Sequence, residues 1–288
     1  MIFMKAKEEN RDFFEVLDFY LEMINRIHIK TFYSLSKLKA SCNPVAFCEG
    51  GFGYLKPTDN IESLVRRITF SYGFTALHEL QELYNQHSIY AERLNAEAFS
   101  FMVEKHISDW VDKCKKERVE GKLPYIAAIY ATPAESLCGT QLEQFVRKYG
   151  VIKNVSDRAY FTNSFHMHVA EDITPFEKQD AEFRYFHVSS GGHIQYCRFA
   201  NGDNLEYIKQ VVERAMKLGY YFGVNIEKSY CGDCGTTMED GETVCPHCAS
   251  TNITTINRVC GYLGYSRVDG TTKMNDAKLA EIADRKSM

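Results

Sequence analysis

The hydrophobic positions of this chain follow a helical spacing in long segments and cluster in shorter runs between them. Apolar residues recur every three or four positions through residues 8–39, which predicts that most of this segment is helical. The same spacing predicts further helices over residues 76–83, 89–118, 133–149, 204–218 and near 275–285. Shorter apolar or alternating runs predict strands over residues 68–72, 125–130, 193–199 and 220–226, with further short candidates from residue 183 onwards. Because strands alternate with long helices, the pattern predicts an α/β fold with parallel strand pairing.

The pattern changes near residue 228, where a short module rich in cysteine and glycine begins. No internal repeat or low-complexity linker divides the chain. One tight segment, residues 41–53, contains three glycines and indicates an irregular loop. We therefore expect one large α/β portion followed by a small cysteine-rich module.

The composition of the chain argues against several classes of protein. The chain has 288 residues and a formal net charge of −4, with a pI near 6.2, which argues against nucleic acid as the main partner. Residues 1–10 lack the apolar core of a signal peptide, and no apolar run approaches the roughly 20 residues that span a bilayer. Ten cysteines in a chain without a leader indicate reduced thiols and metal rather than disulfides. These features predict a cytoplasmic protein that does not bind membranes.

Four of the cysteines form two C-x-x-C pairs, Cys231 with Cys234 and Cys245 with Cys248, which are separated by ten residues. A C-x-x-C pair on a tight turn directs two thiolates to one metal ion, and zinc prefers four such ligands in a tetrahedron. The spacing predicts a zinc ribbon with a structural role, because four protein thiolates leave no open coordination position. Disulfides are disfavoured by the compartment, and an iron–sulfur cluster is a compatible minor alternative.

The segment from Arg258 to Gly264, Arg-Val-Cys-Gly-Tyr-Leu-Gly, follows the cysteine module directly. By itself, this segment predicts a glycine-containing turn before the last helix. Next to the four cysteines, it resembles the glycyl-radical signature, and the chain resembles the C-terminal portion of an anaerobic (class III) ribonucleotide reductase. The resemblance extends over essentially the whole chain, and its most specific motifs lie after residue 230.

The resemblance implies that Gly261 stores a radical. In this family a separate radical S-adenosylmethionine enzyme abstracts an α-hydrogen from the glycine, and the carbon radical is delocalised over the flanking peptide groups. A side chain would crowd that planar radical, so glycine is required. The iron–sulfur cluster belongs to the activating enzyme, so we expect none in this chain.

The resemblance also implies a fold and a domain organisation. Residues 1–227 are expected to form the C-terminal part of a ten-stranded α/β barrel that carries the catalytic site. The zinc ribbon is expected over residues 228–254, and the glycyl radical loop with a C-terminal helix over residues 255–288.

Three segments, residues 43–51, 131–137 and 160–166, resemble stretches of the reductase barrel. In the second, Thr132 suits a helix N-cap and Pro133 the first helical turn, with Glu135 at the capping-box position. A helix start after a strand presents free amides and a positive potential to a phosphate. With the resemblance, this predicts that the phosphates of a ribonucleoside triphosphate are bound by Thr132, Ala134, Glu135 and Ser136, the alternative being an ordinary capped helix.

The third segment contains Asn163, Ser164 and His166, which are candidates for lining the substrate pocket. They could equally satisfy buried backbone groups. Cys260, beside the glycine, is interpreted as a small filler residue, with a radical relay as the alternative.

The chain departs from the family in length. Family members carry, upstream of the matched portion, a cysteine that forms the thiyl radical attacking the ribose. Cys42 and Cys48 lie in a later loop, so neither is assigned that role. We expect a split reductase or a truncated gene, in which a separate N-terminal half supplies the missing cysteine in trans.

The expected function is that of the radical-bearing C-terminal part of an anaerobic ribonucleoside-triphosphate reductase, which makes deoxyribonucleotides for DNA synthesis. The family suggests triphosphate substrates and a homodimer. The alternatives are another glycyl radical enzyme, of the formate-lyase type, and a zinc-ribbon spare-part protein without reductase activity. A nucleic-acid-binding ribbon is disfavoured, because Lys228 is the single Lys or Arg between residues 227 and 256.

Overall fold

The computed structural model describes residues 1–134, 137–199, 204–238, 242–258 and 263–286. Within these residues the α-helices are Ile2–Glu9 (α1), Phe13–Ser36 (α2), Pro44–Phe47 (α3), Glu62–Val65 (α4), Leu77–Asn85 (α5), Phe99–Val119 (α6), Leu137–Tyr149 (α7), Pro175–Val188 (α8), Leu205–Lys217 (α9) and Asp276–Asp284 (α10), with a 3-10 helix at Ala40–Cys42. The strands are Thr69–Phe74 (β1), Ile126–Ala131 (β2), Gln195–Arg198 (β3), Phe222–Asn225 (β4), Lys228–Cys231 (β5), Thr237–Met238 (β6), Ile253–Arg258 (β7), Leu263–Val268 (β8) and Thr271–Thr272 (β9).

The described strands form small sheets of two kinds. β1 pairs with β2, and β3 pairs in parallel with β4. Helix α9 connects β3 to β4, which makes this pair a β-α-β unit. β5 to β9 form an antiparallel sheet in the order β6-β5-β7-β8-β9. The fold therefore combines an α/β portion with a compact antiparallel module near the C-terminus.

The chain divides into two compact units. The first unit contains residues 1–73, 102–130 and 188–192, and the second unit contains residues 74–101, 131–187 and 193–288. Each unit is assembled from segments that are distant in the sequence.

The first unit is organised around helix α2. Its N-cap, Asp12, accepts hydrogen bonds from the backbone N–H groups of Phe14 and Glu15, which satisfies two amides of the first turn. The buried face of the helix includes Asn25, whose side-chain carbonyl accepts a hydrogen bond from the Tyr125 hydroxyl at 2.7 Å. Tyr125 lies in turn 2.8 Å from the Tyr72 hydroxyl. This buried chain of polar groups joins the helix to the segments of β1 and β2.

The second unit has an aromatic core around helix α8. Tyr185 stacks on Phe165 with the ring centroids 5.5 Å apart, and Phe186 packs edge-on against the same ring. The Tyr185 hydroxyl lies 2.8 Å from the Ser100 hydroxyl, and Ser100 also donates to the Gln81 side chain at 2.9 Å. Buried aromatic area stabilises the unit, while the hydroxyl network satisfies the polar atoms within it.

The α/β class predicted from the sequence is confirmed, and most predicted elements are present within a few residues of their expected bounds. The N-terminal helical segment is divided in two, because Asn10 adopts a left-handed conformation with φ +49°. The helix predicted over residues 89–118 begins later, at Phe99. Residues 183–188, which were strand candidates, belong instead to helix α8. Among the described residues, every helix is too short or too polar to cross a bilayer.

Candidate functional site

The two cysteine pairs lie in turns with the same backbone geometry. The N–H of Gly235 donates to the carbonyl of Cys231 at 3.0 Å, and the N–H of Ala249 donates to the carbonyl of Cys245 at 2.9 Å. Both donors adopt the left-handed conformation, with φ +72° at Gly235 and +57° at Ala249. Each C-x-x-C pair is therefore closed by the same kind of turn, which directs its two thiols to one side.

The four sulfur atoms converge as predicted. All four Sγ atoms lie within 4.8 Å of one another, and the pairs Cys231–Cys248 and Cys234–Cys245 are each 3.6 Å apart. A tetrahedral zinc ion with Zn–S bonds of about 2.3 Å places its sulfurs roughly 3.8 Å apart, whereas a disulfide requires about 2.05 Å. The donor set and its spacing thus fit Zn²⁺. Four thiolates fill the tetrahedron, so such an ion would hold the fold rather than bind a substrate.

Polar contacts connect the two turns. Asp233, in the first turn, accepts hydrogen bonds from the Ser250 hydroxyl and, at 2.7 Å, from the Asn252 side-chain amide. These two donors hold the pKa of Asp233 below its usual range. Hydrogen bonds from Thr236 lower the pKa of the Cys234 thiol to about 5. Against the lowering effect of a backbone hydrogen bond from Ser250, the neighbouring Cys234 raises the pKa of the coupled Cys248 thiol, so metal binding to both thiolates would release protons.

The apolar support of this module is small. Cys231 and Cys245 pack with Met238 and Ile253 in a cluster of four buried side chains. So few side chains cannot stabilise a module of this size alone, so metal binding would supply much of its folding free energy.

The predicted radical site, Gly261, lies outside the described residues, as does Cys260. The structure does describe both strands that flank it. β7 begins at Ile253, directly after the second cysteine turn, and its last residue, Arg258, pairs with Leu263, the first residue of β8. The glycine segment, residues 259–262, therefore connects two strand ends that are paired, at the end of a strand that starts from the cysteine module.

Both the side chain and the backbone carbonyl of Arg258 make polar contacts with neighbouring segments. Its guanidinium lies against β4, 3.5 Å from the carbonyl of Val224, and a Cβ on Gly223 would lie 3.0 Å from the guanidinium carbon. The carbonyl of Arg258 accepts a hydrogen bond from Arg285 at 2.7 Å. The residue that begins the signature is thus held by β4 and by the residue that follows helix α10.

Of the predicted phosphate ligands, the structure places Thr132 and Ala134 between β2 and α7, whereas Glu135 and Ser136 lie outside the described residues. Ala134 is buried and has φ +45°, so the helix cannot include it, and α7 begins at Leu137. The predicted N-cap at Thr132 is therefore wrong, because a left-handed residue separates Thr132 from the helix. Phosphate binding at this segment stays a prediction.

The start of α7 packs against the C-terminal helix. Ala134 and Cys138 form a buried cluster with Tyr160, and Ala277 of α10 packs on this cluster. A Cβ on Gly139 would overlap the methyl group of Ala277. Glycine at this position allows α10 to approach α7 closely.

The segment 160–166 is buried and has polar partners within the protein. Glu79 accepts hydrogen bonds from both the backbone N–H of Thr162, at 3.0 Å, and its hydroxyl, at 2.7 Å. The side-chain carbonyl of Asn163 accepts a hydrogen bond from the Cys138 thiol at 3.3 Å. Asn163 thus has a polar partner within the protein, and the predicted role of Asn163, Ser164 and His166 in lining a substrate pocket stays a prediction.

His166 belongs to a buried ionic cluster around Glu182. One carboxylate oxygen of Glu182 contacts the Lys178 ammonium and lies 3.2 Å from Nδ1 of His166. The same oxygen accepts a hydrogen bond from the backbone N–H of Met167 at 3.1 Å. Burial alone would raise the pKa of Glu182, but Lys178 and His166 lower it to about 2. Glu182 is therefore a carboxylate at neutral pH.

Sequence reasoning missed a hydrogen-bonded chain that includes His168. Nδ1 of His168 accepts a hydrogen bond from the backbone N–H of Ala170 at 3.2 Å, so the neutral ring carries its proton on Nε2. Nε2 lies 3.2 Å from the Tyr160 hydroxyl. Tyr160 in turn donates to Asp284 at 2.8 Å. Burial lowers the pKa of His168 to about 4, so the ring is neutral near pH 7. These residues lie too far apart in the sequence for their spacing to reveal the contact.

A second missed cluster is the charged face of α10. Lys278, Glu281 and Arg285 are each 5% exposed or less. Their spacing of three and four residues is visible in the sequence, but the same spacing is typical of ion pairs on exposed helices. Nothing in the pattern of the segment indicated that these charges are buried.

The sequence of the whole chain, residues 1–288, matches the family described as anaerobic ribonucleoside-triphosphate reductase. Curated relatives of that description include the protein of Enterobacteria phage T4, at 36% identity over 88% of this chain and 40% of the relative. Another is the protein of Haemophilus influenzae, at 32% identity over 91% of this chain and 38% of the relative. The chain thus spans about 40% of the length of these relatives.

Solved structures share the fold. An anaerobic ribonucleotide reductase superposes with a TM-score of 0.68 at 15% identity, over 100% of this chain and 43% of that chain. The reductase from Thermotoga maritima gives a TM-score of 0.64 at 17% identity, over 90% of this chain and 41% of that chain. The family resemblance carried by the cysteine pairs and the glycine signature is confirmed: this chain belongs to the anaerobic ribonucleoside-triphosphate reductase family.

Proposed function

We propose that this chain is the part of an anaerobic ribonucleoside-triphosphate reductase that carries the glycyl radical, at Gly261, for the reduction of ribonucleotides to deoxyribonucleotides. The observation that carries the proposal is the four-thiolate site joined through one strand, β7, to the glycine segment. The family match over residues 1–288 supports the same assignment. The radical would be formed when a radical S-adenosylmethionine activase removes an α-hydrogen from Gly261.

We assign zinc a structural role in this function. Its ligands would be Cys231, Cys234, Cys245 and Cys248, and a bound ion would supply folding free energy to the module of residues 228–254. β7 starts in this module and ends at Arg258, directly before the glycine segment. A bound ion that orders the module would therefore also help to hold the upstream end of the glycine segment. We propose that residues 255–288 are the radical-bearing part and that residues 1–227 are the barrel portion. Free thiolates and zinc are compatible with the cytoplasm, where we place the protein.

The substrate would be a ribonucleoside triphosphate whose phosphates meet the segment before α7. Thr132 and Ala134 precede α7, whose described residues are Leu137–Tyr149, and Glu135 and Ser136 lie between them in the sequence. Amides and the dipole at a helix N-terminus favour anions. The close packing of α10 on α7 supports this arrangement, because α10 is followed directly by Arg285, which donates to the carbonyl of Arg258.

Catalysis should require the remainder of the reductase, in the same polypeptide or as a separate N-terminal chain in trans. One face of α2 exposes Phe19, Met23 and Ile27 at successive helical turns, with exposed fractions of 52%, 42% and 57%. Such an apolar stripe indicates a surface that another protein segment covers. The remaining 60% or so of a full-length relative would supply that segment, and we propose that the complete enzyme is a homodimer.

The test is anaerobic electron paramagnetic resonance. The zinc-loaded chain is incubated with the cognate activase, S-adenosylmethionine and a reductant, with and without the remaining reductase portion. Gly261→Ala removes the proposed site, and Gly264→Ala is the matched control, since it alters a glycine in the same hairpin.

We expect a glycyl doublet in the wild type and in Gly264→Ala, and none in Gly261→Ala. No doublet in any protein, with zinc bound and the remaining portion present, would contradict the assignment. A doublet without deoxyribonucleotide formation in the assembled system would favour a spare-part or other glycyl radical protein.

A further inference from the structure

Helix α10 and the residue after it carry three charged side chains in the interior of the second unit. The exposed fractions are 3% for Lys278, 1% for Glu281 and 5% for Arg285. Moving charges from water into a protein interior is costly, so they are retained where their partners are well placed. Here the partners are one another, which leaves a rigid charged cluster beside the end of the helix.

Glu281 bridges the two cations. One of its carboxylate oxygens contacts the Lys278 ammonium, and the other accepts a hydrogen bond from Arg285 at 2.8 Å. Burial alone would raise the pKa of Glu281, but the two cations hold it below its usual range. The carboxylate is therefore ionised near pH 7, and it fixes one arm of the Arg285 guanidinium.

The other arm of Arg285 reaches the strand that leads to the glycine segment. Its Nη1 donates to the carbonyl of Arg258 at 2.7 Å, while its own carbonyl accepts a hydrogen bond from Arg198, the last residue of β3. A guanidinium can serve a carboxylate and a carbonyl at once because its donors form a planar fork. Arg285 thus joins α10, β3 and β7 at one point.

We propose that Arg285 is a positioning residue for the glycine segment: it anchors the carbonyl of Arg258 and thereby sets the place of Gly261, three residues further along the chain. The function of this anchor rests on the proposed radical role of Gly261. Radical transfer between a backbone carbon and a partner group depends steeply on their geometry, and a misplacement of about 1 Å can cost about a hundredfold in rate. Arg285 acts in this proposal through the carbonyl of Arg258.

The experiment compares Arg285→Lys and Arg285→Ala with Lys286→Ala in the zinc-loaded chain. Lysine keeps the positive charge beside Glu281 but cannot span Glu281 and the Arg258 carbonyl with one fork, so this variant should fold even if the alanine variant does not. Lys286→Ala removes an exposed cation at the neighbouring position and serves as the matched control. The readouts are zinc per chain, hydrogen exchange of the peptide covering residues 258–263, and the yield of the glycyl doublet per chain.

For Arg285→Lys we expect an unchanged zinc content per chain and a several-fold lower yield of the glycyl doublet. Hydrogen exchange of residues 258–263 should be faster by about tenfold or more, because a charge-assisted hydrogen bond is lost. Hydrogen exchange equal to that of the wild type would contradict the proposal that Arg285 anchors the carbonyl of Arg258. Faster exchange with an unchanged doublet yield would overturn the positioning role. If the wild type gives no doublet with the activase and the remaining reductase portion present, the proposed function fails, whereas the exchange result still decides the anchor.

Discussion

Glu182 offers the sharpest test of the electrostatics of the second unit. Its side chain is fully buried, and its carboxylate contacts Lys178 and His166 and accepts the backbone N–H of Met167. Glu182→Gln removes the negative charge at nearly constant volume and leaves the Lys178 ammonium buried without its counter-charge. Breaking one partner of a buried pair costs about 3–5 kcal/mol, and we expect a loss of that order in the free energy of unfolding at pH 7.

The pH dependence of this loss follows from the pKa of Glu182. The folded protein lowers it from 4.5 to about 2, a change equivalent to about 3 kcal/mol. Because the folded pKa is depressed, the stabilisation is fully present above pH 4.5 and is lost as the pH falls towards 2. Linkage gives a loss on the order of 1 kcal/mol between pH 7 and pH 3.5.

Urea denaturation of the wild type and Glu182→Gln at pH values from 7 to 3.5 measures the effect. Acid also protonates the zinc thiolates, so the relevant quantity is the difference between the two proteins at each pH, in which the loss of zinc cancels. Asp180→Asn is the matched control, because Asp180 is a largely exposed carboxylate on the same helix, paired with Arg214. A difference that stays constant across this pH range, or a loss no larger than that of the control, would refute the argument.

Two further predictions test the cysteine module and the C-terminal helix. Ala249→Gly should stabilise the zinc-loaded module by up to about 1 kcal/mol, because alanine is strained at φ +57°. Gly235→Ala should do the reverse, and equal zinc affinities of both variants in a chelator titration would contradict this reasoning. Gly139→Ala should cost roughly 1–3 kcal/mol, measured by thermal unfolding, because the new methyl group overlaps Ala277. Adding Ala277→Gly should restore stability, and failure to restore it would count against the overlap.

The sequence was most informative where chemistry imposes a fixed local spacing. Two C-x-x-C pairs predicted the convergence of four sulfurs, because a tight turn can place the two thiols of each pair in essentially one way. Helices such as α9 were predicted within a residue or two, since their apolar face repeats with a period close to 3.6. The strand over residues 125–130 was found because its apolar run is continuous.

The errors have physical causes that the pattern does not contain. The end of α8, Arg-Tyr-Phe-His-Val, is rich in residues that favour strands, and only packing of Tyr185 in the core selects the helix. The start of α7 was placed too early because a capping motif does not reveal the left-handed backbone of Ala134. Burial of Lys278, Glu281 and Arg285 was missed because their local ion pairs are visible in the sequence, whereas the packing of other segments around them is not.

Buried ionised groups recur along the segments of the second unit that resemble the family. Glu182 lies beside residues 160–166, and Glu281 lies in α10, which packs on α7 and is followed by Arg285, the donor to the Arg258 carbonyl. A buried ion pair seldom adds net stability over a well-packed apolar substitute. A buried ion pair does restrict geometry, because each charged group is stabilised in few orientations. A backbone carbonyl that accepts a hydrogen bond from a guanidinium, which is itself held by a carboxylate, therefore has little freedom to move. A glycine that stores a radical has no side chain by which it can be held. For Gly261, the proposed radical site, the last residue described upstream is Arg258, whose carbonyl accepts a hydrogen bond from Arg285.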